Sequence, residues 1–466
     1  MQIATKKQMV FDRELIERCQ TNAPRYTSYP TADRFNLDFG VNEQHKQIKQ
    51  VFGGGISKPI SLYIHIPFCN TLCLYCACNK VITNNRAKIA EYLGYLEKEF
   101  ALYQGLCGNK LPVVQLHFGG GSPSWLSCSE IHTLMTMVRK YFDLTKASEI
   151  AMELDPRHVS DEFMQALHEE GFNRVSLGVQ DFDLAVQKAV NRMQSLADTQ
   201  RVLEKANTLG FKSTNIDLIY GLPLQSLEGF SKTIDTVINI LAPGRIALFN
   251  YAHLPQVFLS QTRINAQDLP SPELKLDILQ MSVERLRDAG YLFIGMDHFA
   301  HPQDELAQAL NNGTLQRNFQ GYSTFADTNM LSFGVSAIGF IGNSYYQNAK
   351  ELSSYYASLD QGELPLLRGI LLNNDDIIRR SIIQQIMCSF ALNFVGVAVR
   401  YQIVFAEYFA RELLELQALH DMELISLSVD GLLVSAKGRF LIRNVAKVFD
   451  KYLQQQAVSN RYSKVI

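Results

Sequence analysis

Four of the eight cysteines in this chain crowd into ten residues, from Cys69 to Cys78. Cys69, Cys73 and Cys76 follow the spacing C-x₃-C-x₂-C, directly after a predicted strand. Crowded thiols outside a disulfide-rich secreted protein usually indicate metal or redox chemistry. Structural zinc sites use two ligand pairs a dozen or more residues apart, and no second pair follows here at that spacing. Bacterial ferredoxins use another spacing and supply four thiolates to each cluster.

A loop with three thiolates can hold three irons of a four-iron cluster, which leaves the fourth iron without a protein ligand. An open iron is what a cluster needs if it is to bind and reduce a small molecule directly. The spacing therefore favours such a cluster over structural zinc.

Other chemically useful residues lie where predicted strands end. A glycine run at 119–121 follows the second strand, and Glu153, Gln180 and Asp217 lie at or in the next three. Active sites of α/β barrels lie at the carboxyl ends of the strands, so these residues are expected on one rim. Glycine amides can approach an amino-acid moiety closely, although a bare turn is the alternative. The carboxylates can accept hydrogen bonds from an ammonium or ribose hydroxyls, although helix capping is the alternative for each.

Three further polar residues have plainer interpretations. Arg192 lies outside the strands, and a surface ion pair is the alternative to a role at the rim. His65 and His117 lie within predicted strands, and we interpret both as packed strand residues.

Short apolar runs alternate with helical patterns at a spacing of ~30 residues, which is typical of βαβ units. Helices are predicted between the strands, over 91–103, 129–142, 160–171, 199–210 and 227–241, with a Ser cap and a closing Gly for 160–171. Six units are fewer than the eight of a full barrel, so the fold class is α/β with a partial (β/α)₆ barrel; an open sheet is the second choice. The predicted strands cover 61–66, 113–118, 149–154, 174–179, 215–221 and 246–251.

The pattern predicts three regions: an N-terminal arm over 1–58, the partial barrel over 59–365, and a mostly helical C-terminal domain over 366–466. The last region has amphipathic helical patterns and a hairpin with its turn at Asp430-Gly431. A hairpin between helices also resembles a winged-helix wing, but no basic helix lies beside it. The C-terminal helices are predicted over 375–390, 403–420 and 440–456.

Composition excludes several classes of protein. The chain has 466 residues, 47% of them hydrophobic and 19% charged, so it can bury a large core. Its net charge of −2 argues against nucleic acid as a partner. No run reaches the ~18 apolar residues of a membrane span, and no signal-peptide pattern is present, so we expect a cytoplasmic protein.

Several segments together identify a family. The cysteine spacing with Tyr75 before the last Cys is the signature of radical S-adenosylmethionine (SAM) enzymes. Beyond it, the chain resembles the oxygen-independent coproporphyrinogen III oxidases of bacteria along nearly its whole length. The shared segments are PRYTSYPTA (24–32), SLYIHIPFC (61–69), CACNK (76–80), GFNRVSLGVQDF (171–182), STNIDLIYGLP (213–223), FNYAHLP (249–255), IGMDHFA (294–300) and RNFQGY (317–322).

The resemblance implies one [4Fe-4S] cluster and two SAM molecules. It assigns the cluster to Cys69, Cys73 and Cys76 and leaves Cys78 without a ligand role. It assigns the first SAM to Tyr63, Gly120, Glu153 and Ile338. It assigns the second to Tyr75, Gly121, Ser122, Gln180, Arg192, Asp217 and Ala252, with Phe249 near the adenine.

The resemblance also implies the reaction, an oxidative decarboxylation of two propionates of coproporphyrinogen III to vinyl groups. The product is protoporphyrinogen IX, in anaerobic haem (porphyrin) biosynthesis. An electron from the cluster cleaves SAM to methionine and a 5′-deoxyadenosyl radical, which takes a hydrogen atom from the propionate β-carbon. Loss of CO₂ and one electron leaves the vinyl group. No catalytic side chain is required, because the cofactors carry the chemistry.

The implied partners are the substrate and an unidentified electron donor, with a monomer as the oligomeric state. Arg25 in the arm is a candidate to bind a substrate propionate, since guanidinium pairs bidentately with carboxylate; a salt bridge that ties the arm to the barrel is the alternative. A haem-binding chaperone on the same fold is the alternative function. Such chaperones typically lack the PRYTSYPTA-like arm and the fourth Cys, and this chain has both.

Overall fold

The computed structural model describes residues 9–54, 58–145, 149–325 and 328–454. Its contacts group the chain into two compact units, each discontinuous in sequence. Each unit combines segments from different parts of the chain, whereas the predicted boundaries at residues 58 and 365 divide the chain into three consecutive regions. Those boundaries stay predictions. The α/β unit comprises Phe35–Ala289 and Asp327–Leu371, and the terminal unit comprises Met1–Arg34, Gly290–Ala326 and Leu372–Ile466.

Six parallel strands form the centre of the α/β unit, and each pairs with the next one along the chain. The prediction of six strands in chain order is therefore confirmed. Their apolar residues are almost all buried, as expected for parallel strands that are covered on both faces. In chain order the strands are β1 (Ile60–Ile66), β2 (Leu111–Gly120), β3 (Glu149–Leu154), β4 (Arg174–Gln180), β5 (Ser213–Tyr220) and β6 (Arg245–Asn250).

Helices connect these strands, and their ends follow local capping chemistry. Ser160 accepts a hydrogen bond from the amide of Phe163, and Gly171 has a positive φ of 89°, which confirms the predicted cap and stop. Among the helices in the described part of the chain, none is both long enough and apolar enough to cross a membrane. The α-helices of this unit are Val41–Phe52, Arg86–Cys107, Cys128–Tyr141, Asp161–Glu169, Leu184–Ala189, Leu196–Thr208, Leu227–Thr236, Pro272–Asp288 and Leu352–Asp360.

Four more strands continue the sheet beyond β1, and the sequence analysis missed them. The first pairs in parallel with β1, and the other three follow in antiparallel order. Their sequence pattern differs from that of the first six strands. Ser344–Asn348, for example, has the largely polar sequence SYYQN although every one of its residues is buried. The strands are β7 (Met330–Phe333), β8 (Ile338–Ile341), β9 (Ser344–Asn348) and β10 (Leu366–Leu371).

The described part of the terminal unit is mostly helical, with four small antiparallel strand pairings. The predicted C-terminal hairpin is confirmed, but Ser428 pairs with Gly431, so its turn is Val429-Asp430, one residue earlier than predicted. In the terminal unit, Leu292–Gly295 pairs with His298–Ala300, and Gln316–Asn318 pairs with Gly321–Ser323. Gly431–Val434 pairs with both Ala391–Asn393 and Ile425–Ser428.

Two of the predicted C-terminal helices are interrupted. The helix over 403–420 breaks at Phe409, and the helix over 440–456 contains a 3-10 turn at Lys447–Phe449. Residues 455–456 lie outside the described residues. The α-helices of the terminal unit are Arg13–Arg18, Glu305–Asn312, Asn374–Ser389, Phe394–Tyr401, Phe405–Tyr408, Ala410–Asp421, Ile442–Ala446 and Lys451–Gln454.

The N-terminal segment contributes to the core of the terminal unit. Tyr26 is buried and its hydroxyl donates to Asp450 Oδ2 at 3.1 Å. Arg443 donates to the carbonyl of Pro24 at 3.0 Å, and Asn444 donates to the carbonyl of Cys19 at 2.7 Å. Buried tyrosine hydroxyls and backbone carbonyls need such partners. These contacts tie the start of the chain to its last helices.

The carboxyl group of Glu99 is fully buried in the α/β unit. It accepts hydrogen bonds from the Tyr355 hydroxyl (2.7 Å), the Gly334 amide (2.8 Å) and the Asn348 side chain (2.7 Å). Burial raises the pKa of Glu99 to about 7, and the three donors offset only part of that effect. The folded protein therefore favours the protonated carboxyl.

We predict that Glu99→Gln removes a pH-dependent part of the stability. The protonated Glu99 stabilises the fold fully below pH ~4.5, and this contribution is lost as pH rises through about 7. At ~1.4 kcal/mol per pKa unit, the free energy of unfolding of the variant should rise by roughly 2–3 kcal/mol relative to that of the native protein as the pH increases from 5 to 8. Urea unfolding of both proteins across this range measures the difference.

Glu97→Gln is the matched control on the same helix. The hydrogen bond from Lys140 keeps the pKa of Glu97 below its usual range, so its contribution is constant between pH 5 and 8. The prediction is contradicted if the unfolding free energies of the native protein and Glu99→Gln also differ by the same amount at every pH between 5 and 8.

Candidate functional site

A cavity lies at the carboxyl ends of β1 to β5 in the α/β unit, and most of the predicted site residues line it. Residues from five successive strand ends meet there because the strands are parallel and adjacent. The predicted residues in the lining are Cys69, Cys73, Tyr75, Cys76, Gly120, Gly121, Ser122, Glu153, Gln180, Arg192 and Asp217. The lining also contains Lys80, Asp155, Arg157 and Ser176, which the sequence analysis did not select.

Hydrogen bonds to the backbone of the cysteine loop hold it from two directions. The amide of Leu74 donates to the carbonyl of Val190 at 3.0 Å, and Asn191 donates to the carbonyl of Leu72 at 2.8 Å. On the other side, Gln261 donates to the carbonyl of Tyr75 at 3.1 Å. The loop is therefore held in place by protein contacts, and its thiols are presented to the cavity by a fixed backbone.

The thiols influence one another strongly. Burial, together with the neighbouring Cys76 and Cys73, raises the pKa of Cys69 to about 12. A hydrogen bond from Cys78 lowers the pKa of Cys76 to about 6, and the charge of Lys80 acts in the same direction. Thiolates crowded in this way repel each other, so a positively charged metal centre is needed to keep all three deprotonated.

Zinc is the alternative metal for these thiols. In the part of the chain that the structure describes, no three His, Cys, Asp or Glu side chains converge closely enough to hold a single metal ion. A zinc ion draws its sulfur ligands to ~2.3 Å from one point. Three thiols on one loop that line a common cavity are the donor set expected for a four-iron cluster with one open iron.

Glu153 presents a carboxylate to the cavity. His117 Nε2 lies 3.2 Å from Glu153 Oε1, and the amide of Gly120 donates to Oε2 at 3.2 Å. Burial opposes ionisation, but the hydrogen bonds from His117 and Gly120 outweigh it and hold the pKa of Glu153 below its usual range. The side chain keeps 45% of its surface accessible, so the anion is available to a cationic ligand.

The two histidines differ from each other. His65 is buried and lies 3.0 Å from the carbonyl of Asn79, as expected for a packed strand residue. His117 is also packed within its strand, where it stacks on Tyr63 with ring centroids 5.9 Å apart, but it contacts Glu153 in addition. Tyr63 does not line the cavity itself but supports the histidine that holds the carboxylate.

Asp217 lies deeper and is held by neutral donors. Ser176 donates to its Oδ2 at 3.1 Å, and Asn215 donates to its Oδ1 at 2.7 Å. Burial and then the charge of Glu153 raise the pKa of Asp217 to about 7. Near neutral pH this group therefore takes or gives up a proton easily.

The glycines after β2 allow a close approach of two backbones. A Cβ on Gly121 would lie 2.5 Å from the carbonyl oxygen of Pro67, and a Cβ on Gly120, which has φ +122°, would meet the ring of His65 at 2.6 Å. The amide of Gly121 donates to Ile66 and that of Ser122 to Phe68. These amides already have partners in the protein, so the glycines serve the chain packing and do not offer free donors to a ligand.

Arg192 is buried, so its alternative interpretation as part of a surface ion pair is wrong. Its guanidinium donates to the carbonyl of Gly178 at 2.5 Å and to Asp155 at 3.1 Å, and its Nη1 lies 3.5 Å from Cys73 Sγ. Asp155 and Arg157, which complete this group, follow β3 within three residues. Their position directly after a strand end is the signal in the sequence that could have identified them.

Four of the residues assigned to SAM lie outside the cavity lining: Tyr63, Phe249, Ala252 and Ile338. Ile338 begins β8, a strand that the sequence analysis did not predict, and Ala252 is exposed just after β6. Arg25 belongs to the terminal unit, where it forms an ion pair with Asp297. The assignments of these residues stay predictions.

Comparison with known proteins gives the family. Residues 63–237 match the radical SAM superfamily and residues 372–441 match the HemN C-terminal domain. The oxygen-independent coproporphyrinogen III oxidase of Pseudomonas aeruginosa is 46% identical over 98% of this chain and 99% of its own length. The Escherichia coli enzyme is likewise 46% identical over 99% of both chains. This chain belongs to the oxygen-independent coproporphyrinogen III oxidases.

A solved structure of the family supports the same conclusion. Coproporphyrinogen III oxidase (HemN) from Escherichia coli, a radical SAM enzyme, superposes with a TM-score of 0.91 at 45% identity, over 96% of this chain and 100% of its own. The predicted fold class is thereby confirmed: a radical SAM fold with a parallel sheet, and a helical C-terminal region. The described cavity is the part of this family member in which the signature cysteines meet the strand-end carboxylates.

Proposed function

We propose that this protein catalyses the oxidative decarboxylation of two propionate side chains of coproporphyrinogen III, giving protoporphyrinogen IX without oxygen. The observation that carries the proposal is the meeting of the three signature cysteines with Glu153 and Asp217 in one cavity, in a chain that belongs to this oxidase family. The relatives compared above are oxidases, and nothing favours a haem-binding chaperone.

Cys69, Cys73 and Cys76 hold one [4Fe-4S] cluster in this proposal, and SAM binds beside it. The donor set fits, because four thiols line the cavity on a fixed loop: three for the cluster, and that of Cys78 as a hydrogen-bond donor to Cys76. When bound, the cluster and SAM supply the one-electron chemistry that removes a hydrogen atom from a propionate.

The side chains of the protein bind and orient the reactants. The ionised Glu153 accepts hydrogen bonds from the ammonium group of the first SAM, for which Tyr63, Gly120 and Ile338 are the other candidates. Asp217, which is held by the neutral donors Ser176 and Asn215, accepts a hydrogen bond from a hydroxyl of the second SAM. Gly121, Ser122, Tyr75, Gln180, Arg192, Ala252 and Phe249 complete the second set.

The remaining proposals concern partners and location. The cluster receives its electron from an external one-electron donor. The enzyme is a monomer, and it is located in the cytoplasm. Arg25 binds one propionate of the substrate. The Arg25 side chain is about one-third exposed beside Asp297, so part of its surface is accessible to a ligand.

Serine variants of the cysteines test the cluster. Cys69→Ser, Cys73→Ser and Cys76→Ser should each lose the brown chromophore and the activity, because a hydroxyl is a poor iron ligand in a thiolate site. Cys78→Ser should keep the cluster, and Cys128→Ser, which changes an exposed thiol that does not line the cavity, is the control. Iron and sulfide contents after anaerobic reconstitution, followed by assay with SAM, reductant and coproporphyrinogen III, give the result. A Cys78→Ser protein that takes up less than half of the iron contradicts the three-ligand assignment.

Asp217→Asn tests the second SAM. The variant should bind one SAM in place of two with an unchanged cluster spectrum, because the amide has one acceptor oxygen in place of two and carries no negative charge. Equilibrium dialysis with labelled SAM measures the stoichiometry, and Asp235→Asn, a surface residue paired with Arg285, is the control. Two SAM molecules bound to Asp217→Asn with native affinity argue against this site. Arg192 is a poorer probe than the sequence suggests, because it also contacts Cys73.

Arg25 and Asp297 can be separated by single substitutions. If Arg25 binds substrate, Arg25→Gln should raise the KM for coproporphyrinogen III about tenfold or more, since a charged hydrogen bond is lost. Asp297→Asn, which removes only the ion-pair partner, should leave the KM nearly unchanged. Equal effects of the two substitutions would assign Arg25 to the ion pair instead. Deletion of residues 1–32 is unsuitable, since it also removes Tyr26 from a buried core.

A further inference from the structure

Three charged side chains fill a buried corner next to Cys73. Arg157 binds Asp155 through Nη2 at 2.6 Å and Nε at 2.9 Å, and Arg192 binds the same carboxylate at 3.1 Å. Their side chains are 14%, 9% and 8% exposed for Arg157, Asp155 and Arg192 respectively. One carboxylate is thus shared by two guanidinium groups away from solvent.

The charge of this corner is unbalanced within the protein. The two guanidinium groups hold the pKa of Asp155 at about 2 against the opposing effect of burial, so the three groups carry a net charge of +1 at neutral pH. The other acid whose charge reaches Arg192, Asp217, makes its hydrogen bonds to Ser176 and Asn215. A buried cation without a partner is costly, so an anion is expected at this corner.

The atom that both guanidinium groups face is the sulfur of Cys73. Arg192 Nη1 lies 3.5 Å from Cys73 Sγ, and Arg157 Nη2 lies 3.9 Å from it. A thiolate at this position balances the surplus charge and accepts N–H···S hydrogen bonds from two directions. Neither neighbouring thiol, of Cys69 or of Cys76, receives a hydrogen bond from an arginine in the described structure.

We propose that Arg157, held by Asp155 opposite Arg192, is a positioning residue that sets the reduction potential of the cluster through the Cys73 sulfur. The inference rests on the proposed function, in which Cys73 is a cluster ligand. Hydrogen bonds to cluster sulfurs and nearby positive charge stabilise the more negative, reduced state and so raise the potential. Arg157 therefore eases the entry of the electron that starts the reaction.

Arg157 is the residue to change because its role can be isolated. Its side-chain hydrogen bonds in the described structure go to Asp155 and Cys73, whereas Arg192 also binds Gly178 and is a candidate for SAM. Arg201 offers a matched control. It binds the carbonyl of Val159, two residues beyond Arg157 on the same turn, but makes no contact with the sulfur.

The test uses the full chain, reconstituted with its cluster and without SAM, as native protein, Arg157→Gln, Arg157→Lys and Arg201→Gln. Iron and sulfide contents are measured first, and a reductive titration followed by electron paramagnetic resonance then gives the potential. We expect Arg157→Gln to keep its iron and to shift the reduction equilibrium at least tenfold towards the oxidised form, which is about 59 mV for one electron. Arg157→Lys, which keeps the charge, should recover part of the shift, and Arg201→Gln should match the native protein.

An Arg157→Gln protein with full iron and the native potential overturns the inference, as does an equal shift in Arg201→Gln. If Arg157→Gln loses its iron, retention of iron by Arg157→Lys supports the role of the charge, and loss from both variants overturns the potential-setting role. A native protein that takes up no four-iron cluster contradicts the proposed function itself, and is recognised before any variant is compared.

Discussion

The close backbone contact between the ends of β1 and β2 is the constraint on which the rest of the site depends. Gly121 and Ser122 donate to carbonyls of the segment that leads into Cys69, and a side chain at Gly121 would collide with Pro67. This contact fixes where the cysteine loop begins. It also aims the amide of Gly120 at Glu153, so one packing requirement positions both the thiols and the carboxylate that faces them.

Electrostatics divide the cavity into parts with different tasks. Glu153 is kept ionised by donors, whereas Asp217 is kept near the point of half-protonation by burial and by the charge of Glu153. Across from these acids, Arg157 and Arg192 share Asp155 and direct their surplus charge at Cys73. A reaction that places an anionic cluster beside a cationic sulfonium needs both signs of charge within one small space, and the strand ends provide them.

The parts of this arrangement that follow from strand ends were predictable from the sequence. Six apolar runs with parallel connections place Glu153, Asp217 and the cysteine loop on one rim, and the structure brings them together. Asp155 and Arg157 follow a strand end, but their other partners, Arg192 and Cys73, are far away in the sequence, so no local pattern marks a carboxylate that two guanidinium groups share. Strand β9 was missed because its polar side chains are buried by tertiary contacts, such as that of Asn348 with Glu99, which composition does not reveal.

The contact of the first residues with the last has a consequence for synthesis on the ribosome. Tyr26 and its partner Asp450 are 424 residues apart, which corresponds to roughly 20–85 s of elongation at ~5–20 residues per second. During that interval Tyr26 and the carbonyls of Cys19 and Pro24 are without the side chains that satisfy them in the finished protein. The first segment to be made is therefore among the last to reach its final place, and the nascent chain must keep it from wrong partners until translation ends.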